Sequence, residues 1–199
     1  MRIGWITYTF PEPISDDEAR NHISAVIRMR YFNIAHWLNT NGGNLHNEIY
    51  NPEKKYDVVI FLKMMDINCQ DETEKVHDYG GKVIFDSKVN YYDIWGDYPV
   101  KRTKPTQAQR QQAIWMTSHA DWVVADSTYL GGLALRYNAQ VVWIPDNVDL
   151  CRYSGGKVHT YKRRPVLVWS GIASKAAHLL LIKDVLAQLP TSELLLIAD

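Results

Sequence analysis

Between Asp57 and Asp86 the chain reads DVVIFLKMMDINCQDETEKVHDYGGKVIFD, and the reading of this stretch decides the fold class. Two short, continuous apolar runs, Asp57 to Lys63 and Lys82 to Asp86, flank a helix candidate over Glu72 to Tyr79 that Gly80-Gly81 would stop. Runs without polar alternation are what strands covered on both faces look like. Strand, helix, strand in that order implies a right-handed crossover and parallel pairing.

The same alternation extends in both directions. Upstream, Arg2 to Tyr8 reads as a buried strand, and Ile23, Ile27, Tyr31, Ile34 and Leu38 recur at helical steps over His22 to Thr40, with Gly42-Gly43 as the stop. Downstream come a helix over Thr106 to His119 opened by Pro105, a strand at Trp122 to Asp126, a helix over Thr128 to Tyr137 with Ser127 as its N-cap, and a strand at Val141 to Ile144. Residues 1–150 therefore read as an α/β domain built on a Rossmann-like parallel sheet. LCRYSGGKVHTYKRRP, Leu150 to Pro165, is basic and aperiodic, and marks residues 151–165 as a connection. Beyond it, a strand at Val166 to Trp169, a helix over Ser174 to Leu189 and a strand at Glu193 to Ala198 make one βαβ unit over 166–199. Such a unit needs neighbours for its edges, so it either opens a second domain or completes the first domain's sheet.

Composition narrows the partners. With 22 Lys+Arg against 22 Asp+Glu there is no net field to draw in a polyanion, so nucleic acid is not expected. Two cysteines, Cys69 and Cys151, make neither a disulfide framework nor a zinc site, and a reducing cytoplasm is the expected setting. No apolar run approaches the ~18 residues of a membrane span. Seven Trp and twelve Tyr are enough that some rings should line a groove rather than the core.

Ligands of open parallel sheets bind beyond the C-terminal strand ends. Here those ends carry Thr7 and Thr9, Lys63, Asp86 with Lys88, Asp126 with Ser127, Asp146 with Asn147, and Ser170 with Gly171; for Asp126-Ser127 a cap on the helix that starts immediately afterward is the favoured reading. Arg28 and Arg30 lie two apart on a helix, so they splay by ~200° and one at most faces a cleft. A guanidinium near a helix start suits an anionic partner, and a solvated face is the alternative. FDSKVNYYDIWGDY, Phe85 to Tyr98, sets Tyr91, Tyr92 and Trp95 among carboxylates and Asn90, the flat faces and acceptors a sugar requires, or else rings that cover a sheet edge. WSGIASK, Trp169 to Lys175, puts a Ser-Gly turn and a lysine at a helix start, a place for a diphosphate. There is no GxGxxG and no P-loop, and YTFPEP after the first strand has no glycine for pyrophosphate approach, which disfavours a nicotinamide enzyme. The histidines show no pair at ligand spacing, so no metal site is expected.

In order along the chain, SAVIRMRYFNIAHWL, YDVVIFLK, GGKVIFDSKVNYYD, HADWVVADSTYL, VVWIPDNVDL and VLVWSGIASKAAHLLLI resemble segments of the GT-B glycosyltransferases of the glycosyltransferase 4-like group. The resemblance implies two Rossmann-like domains facing a cleft: residues 1–150 on the acceptor side, 166–199 the start of the nucleotide-sugar domain. It implies transfer of a sugar from a nucleotide-sugar donor, the co-substrate in place of any cofactor, to a saccharide or lipid-linked acceptor. The latter allows peripheral contact with the cytoplasmic face of a membrane. Ser170, Gly171 and Lys175 would border the donor diphosphate. Arg28, Arg30, Lys63, Lys88, Tyr91, Tyr92 and Trp95 would face the acceptor, and Asp86 would be the catalytic carboxylate. The family's Gly-Arg at the diphosphate turn stands here as Gly171-Ile172, its lysine lies further from the glycine than Lys175 does, and its glutamate pair would fall beyond Asp199. The expectation is thus the N-terminal part of a transferase, with a non-catalytic carbohydrate- or protein-binding subunit as the alternative; oligomeric state is left open.

Overall fold

A computed structural model describes residues 1–8, 10–12, 14–22, 24–94, 104–146, 166–189 and 192–198. They fall into two compact units, the first holding six strands and the second two. The 151–165 connection and Trp95 lie outside the described residues.

In the first unit the strands are β1 (Arg2–Ile6), β2 (His46–Ile49), β3 (Val58–Leu62), β4 (Lys82–Ser87), β5 (Trp122–Ala125) and β6 (Val141–Trp143). They form one sheet in the order β2-β1-β3-β4-β5-β6, every pairing parallel. The chain winds from β1 to β2 in one direction and from β3 to β6 in the other, so the order reverses between β1 and β3. Crossovers of one hand then put the helices on opposite faces. On one face α1 (Asp16–Asn21) and α2 (Asn33–Asn41) enclose Ile3, Trp5, Ala19, Ile27, Tyr31, Ala35 and Leu62. On the other lie α3 (Ile67–Asp78), α4 (Gln107–His119) and α5 (Thr128–Ala134), over a larger core that includes Val59, Phe61, Val83, Phe85, Met116 and Val123. Each such fully buried side chain contributes about 1.5–3 kcal/mol.

Local chemistry sets the helix starts. Ser15 accepts from the Glu18 N–H while Glu18 reaches back to the Ser15 N–H, and Thr106 and Gln109 form the same reciprocal cap on α4. Asp66 caps α3 through the Cys69 N–H, which starts that helix ahead of the expected Glu72. Ser127 caps α5 as its position before Thr128 suggested.

Two features depart from the expected pattern. The single helix over His22 to Thr40 is instead a π-helical turn, Ile27–Phe32, running into α2; the Asn33 N–H bonds the Arg28 carbonyl, five residues back. And β2 is an additional strand, His46–Ile49, at the margin of the sheet. Polar as it is, β2 is fixed from the helix beside it. Asn39 on α2 accepts from the Asn47 N–H at 2.6 Å and donates to the Asn47 carbonyl at 2.8 Å, while Asn47 Oδ1 accepts from Trp5 Nε1 at 3.0 Å.

The second unit pairs β7 (Val166–Gly171) with β8 (Glu193–Ala198) in parallel, a separate two-stranded sheet among the described residues. Between them runs a 3₁₀ helix, Ala173–Ile182, and then α6 (Lys183–Ala187), where one α-helix was expected. Leu194, Leu195, Leu196 and Ile197 are all exposed, so both faces of β8 carry uncovered apolar side chains. No helix among the described residues is long and apolar enough to cross a membrane.

Candidate functional site

The C-terminal ends of β4, β5 and β6 gather five charged side chains. Asp86 is on β4 itself and Lys88 follows it, Asp126 follows β5, Asp146 follows β6, and Arg30 reaches them from the π-helical turn. The Arg30 side chain is 1% exposed and that of Asp86 6%, with Nη2 to Oδ1 at 3.4 Å. Arg30 also donates to the Ile144 carbonyl at 2.7 Å and the Pro145 carbonyl at 3.1 Å, and its Nε stands 3.3 Å from Asp146 Oδ1. Lys88 joins the two outer carboxylates, 3.4 Å from Asp126 and in contact with Asp146.

Burial sorts these groups into an inner and an outer layer. Arg30, Asp86 and Lys88, with a side chain 5% exposed, are inside; Asp126 at 24% and Asp146 at 50% meet solvent. Burial raises the Asp86 carboxyl to about 6, against the pull of Arg30 and Lys88 and with help from the charges of Asp146 and Asp126. A titratable carboxyl near neutrality, beneath two carboxylates at strand ends, is a place where protons and hydroxyls can be handled.

Of the two arginines considered, Arg30 belongs to this cluster and Arg28 does not: Arg28 is half-buried and its Nη1 donates to the His22 carbonyl. Lys63, at the end of β3, sits beside the cluster through its backbone, its N–H bonding the Asp86 carbonyl at 3.0 Å with φ at 61°. Lys88 and Arg30, expected to face an acceptor, are covered, and they hold carboxylates instead. Asp86, expected to be the catalytic carboxylate, is likewise buried, with its side chain beside Arg30. Tyr92 is a core residue: it is fully buried, its hydroxyl 2.8 Å from that of Thr117 and 3.4 Å from Ser87 Oγ, with no face to offer a sugar. Tyr91 is half-buried against the same core.

In the second unit Ser170 and Gly171, with Ile172, Ile197 and Ala198, line a cavity of about 400 Å³ at the C-terminal ends of β7 and β8. Lys175 is exposed on the following helix, its N–H bonded to the Ile172 carbonyl at 2.8 Å, and is not among the lining residues. Gly171 is confined from behind: a Cβ there would stand 3.0 Å from the Trp169 indole.

Spacing along the chain pointed to Asp126 and Asp146 only as strand-end residues, without separating them from Asp86 and Lys88. The carbonyls of Ile144 and Pro145, which bind Arg30, leave no side-chain signature at all. Among the described residues no group of three or more His, Cys, Asp or Glu is arranged to hold a metal ion. The Cys69 thiol is buried, and burial first, then Asp66, pushes it up, away from reactivity. No protein-family model matches the chain, and no curated protein matches it.

Proposed function

We propose that the chain serves glycosyl transfer from a nucleotide sugar, in the manner of the GT-B enzymes whose segments it resembles, with the first unit on the acceptor side and the second on the donor side. The observation that carries this reading is that two separate parallel β units each have a candidate site at their C-terminal strand ends, a charged cluster in the first and an open pocket beside Ser170 and Gly171 in the second. In the second unit, Ser170 and the backbone at Gly171 border the donor diphosphate, and Lys175 supplies charge nearby. In the first, Asp126 and Asp146 accept hydrogen bonds from the hydroxyls of a saccharide or lipid-linked acceptor. An acceptor hydroxyl attacks the anomeric carbon, the bond from that carbon to the diphosphate oxygen breaks, the nucleoside diphosphate leaves, and the hydroxyl proton passes to a carboxylate. Asp86, with Arg30 and Lys88 behind it, sets the charge of that outer pair. A cytoplasmic setting, with peripheral membrane contact where the acceptor is lipid-linked, belongs to this reading.

Isothermal titration with UDP, GDP, ADP and their sugars tests the donor half. At least one should bind, and Gly171→Ala, which pushes a methyl against Trp169, should weaken binding about tenfold or more, ~1.4 kcal/mol. A folded chain that binds none of the panel overturns the reading.

One observation favours a second reading, a non-catalytic subunit that binds a carbohydrate or protein. A two-stranded sheet with Leu194 to Ile197 uncovered is not independently stable, and a partner would cover it. Sedimentation showing self-association that Leu195→Lys abolishes, together with no nucleotide binding, would favour it.

A further inference from the structure

Arg30 is placed between two carboxylates that it does not serve fully at once. Its Nη2 is 3.4 Å from Asp86 Oδ1, long for a charge-assisted bond, while the same nitrogen donates to the Ile144 carbonyl at 2.7 Å. Its Nε is 3.3 Å from Asp146 Oδ1, yet among the described residues this buried N–H has no acceptor in hydrogen-bond geometry. A guanidinium best satisfies a carboxylate through two parallel N–H bonds, and here neither carboxylate receives them. A buried donor left without an acceptor is unfavourable, so the fork is under tension between its partners.

The groups that face Asp86 come from four places: Arg30 from the π-helical turn, Lys88 from the end of β4, Asp126 from the end of β5, and Asp146 from the end of β6. The Lys63 N–H binds the Asp86 main chain. A π-helical turn is a frequent marker of functional sites, and here its extra residue carries the guanidinium into the cluster.

We propose that Arg30 is a positioning residue with two settings: with Asp86 ionised its guanidinium is shared between Asp86 and the segment Ile144 to Asp146, and with Asp86 protonated it closes on Asp146 and holds that segment alone. The proton comes from solvent and stays on Asp86, and no bond other than hydrogen bonds is made or broken. The switch does not depend on the transferase reading. It would let pH set how firmly the outer carboxylate Asp146 is fixed.

The test is an NMR titration of the full chain, isotopically labelled, from pH 5 to 8, following the Arg30 Nε–H resonance and the side-chain carboxyl carbons of Asp86 and Asp146. In the unaltered protein the Arg30 resonance should move downfield on acidification, with the midpoint of the Asp86 carboxyl near 6. Asp86→Asn should hold it at its low-pH position throughout. Asp146→Asn should abolish the movement while Asp86 still titrates. An Arg30 resonance that stays still while Asp86 titrates overturns the proposal, as does an Asp86 that fails to titrate in this range. Both outcomes are read in the unaltered protein, whether or not a variant folds.

Discussion

Lys63 and Asp86 meet through their backbones: the Lys63 N–H reaches the Asp86 carbonyl at 3.0 Å from a residue whose φ is 61°. It is the only residue other than glycine at positive φ among those described, and it follows β3, beside the sheet's reversal point. Backbone held in the left-handed region at the C-terminal end of a strand is maintained by its surroundings rather than by its own preference.

Substitution at Lys63 should report that constraint. The left-handed penalty of about 1–2 kcal/mol vanishes in Lys63→Gly, but glycine's freedom in the unfolded chain returns ~0.4–1 kcal/mol. Urea denaturation should therefore place this variant within about 1 kcal/mol of the parent. Lys63→Val, β-branched, should lose roughly 1–3 kcal/mol. Equal midpoints for the valine variant and the parent would show that no strain resides there.

The raised Asp86 carboxyl fixes the sign of one pH effect. Its folded value of about 6 exceeds the ordinary 3.8, so the folded state binds the extra proton between those values. The stabilisation it brings is complete below the lower value and is lost as pH rises through the upper. From pH 7 to pH 5 this group alone should add about 1 kcal/mol of unfolding free energy. Asp86→Asn should flatten that segment of the stability profile. Asp121 acts oppositely: burial would raise it, but bonds from Lys82, the Val83 N–H and His77 hold it low, so its contribution is lost only in more acid solution. Unfolding curves at pH 5, 6 and 7 decide the matter.

Tyr92 offers a clean distinction between packing and binding. Tyr92→Phe removes a buried hydroxyl pair with Thr117 and should cost about 1–3 kcal/mol, since the Thr117 oxygen loses its partner. Any saccharide affinity, measured by titration, should be unchanged, because the ring has no exposed face.

Gly81 precedes β4 where the backbone has no room. A Cβ there would lie 2.8 Å from the Tyr56 carbonyl oxygen and 2.9 Å from a Val76 methyl. Gly81→Ala should therefore lose about 1–3 kcal/mol, the usual range for overpacking, while Gly132→Ala, with open space around it, should not be destabilised. Thermal melts of the two variants provide the comparison.

How much of this was readable from residue order follows from where side chains sit. The strands β3, β4 and β5 are legible because parallel strands buried on both faces are written as unbroken apolar runs. β2 is not, since His46, Asn47 and Glu48 carry no such run and are fixed by Asn39 and Trp5 from other elements. α1 was legible in principle, since Ser15 and Glu18 are a capping pair three residues apart, but its six residues, DDEARN, are too short and polar to show an apolar period. At the site, spacing told that Arg28 and Arg30 diverge. It could not tell which one turns inward, because the five-residue hydrogen bond of the π turn shifts the helix face without changing the apolar periodicity. Nor could it tell that Tyr92, in a loop rich in polar residues, is drawn under the sheet by Thr117 and Ser87.

The side chain of Asn39 does for β2 what a seventh strand would do. Its amide answers both main-chain groups of Asn47 that point away from β1, so that stretch of the outermost backbone is already occupied. Another molecule's backbone finds no vacant ladder rung at Asn47, so edge-to-edge pairing along β2 is interrupted at that point.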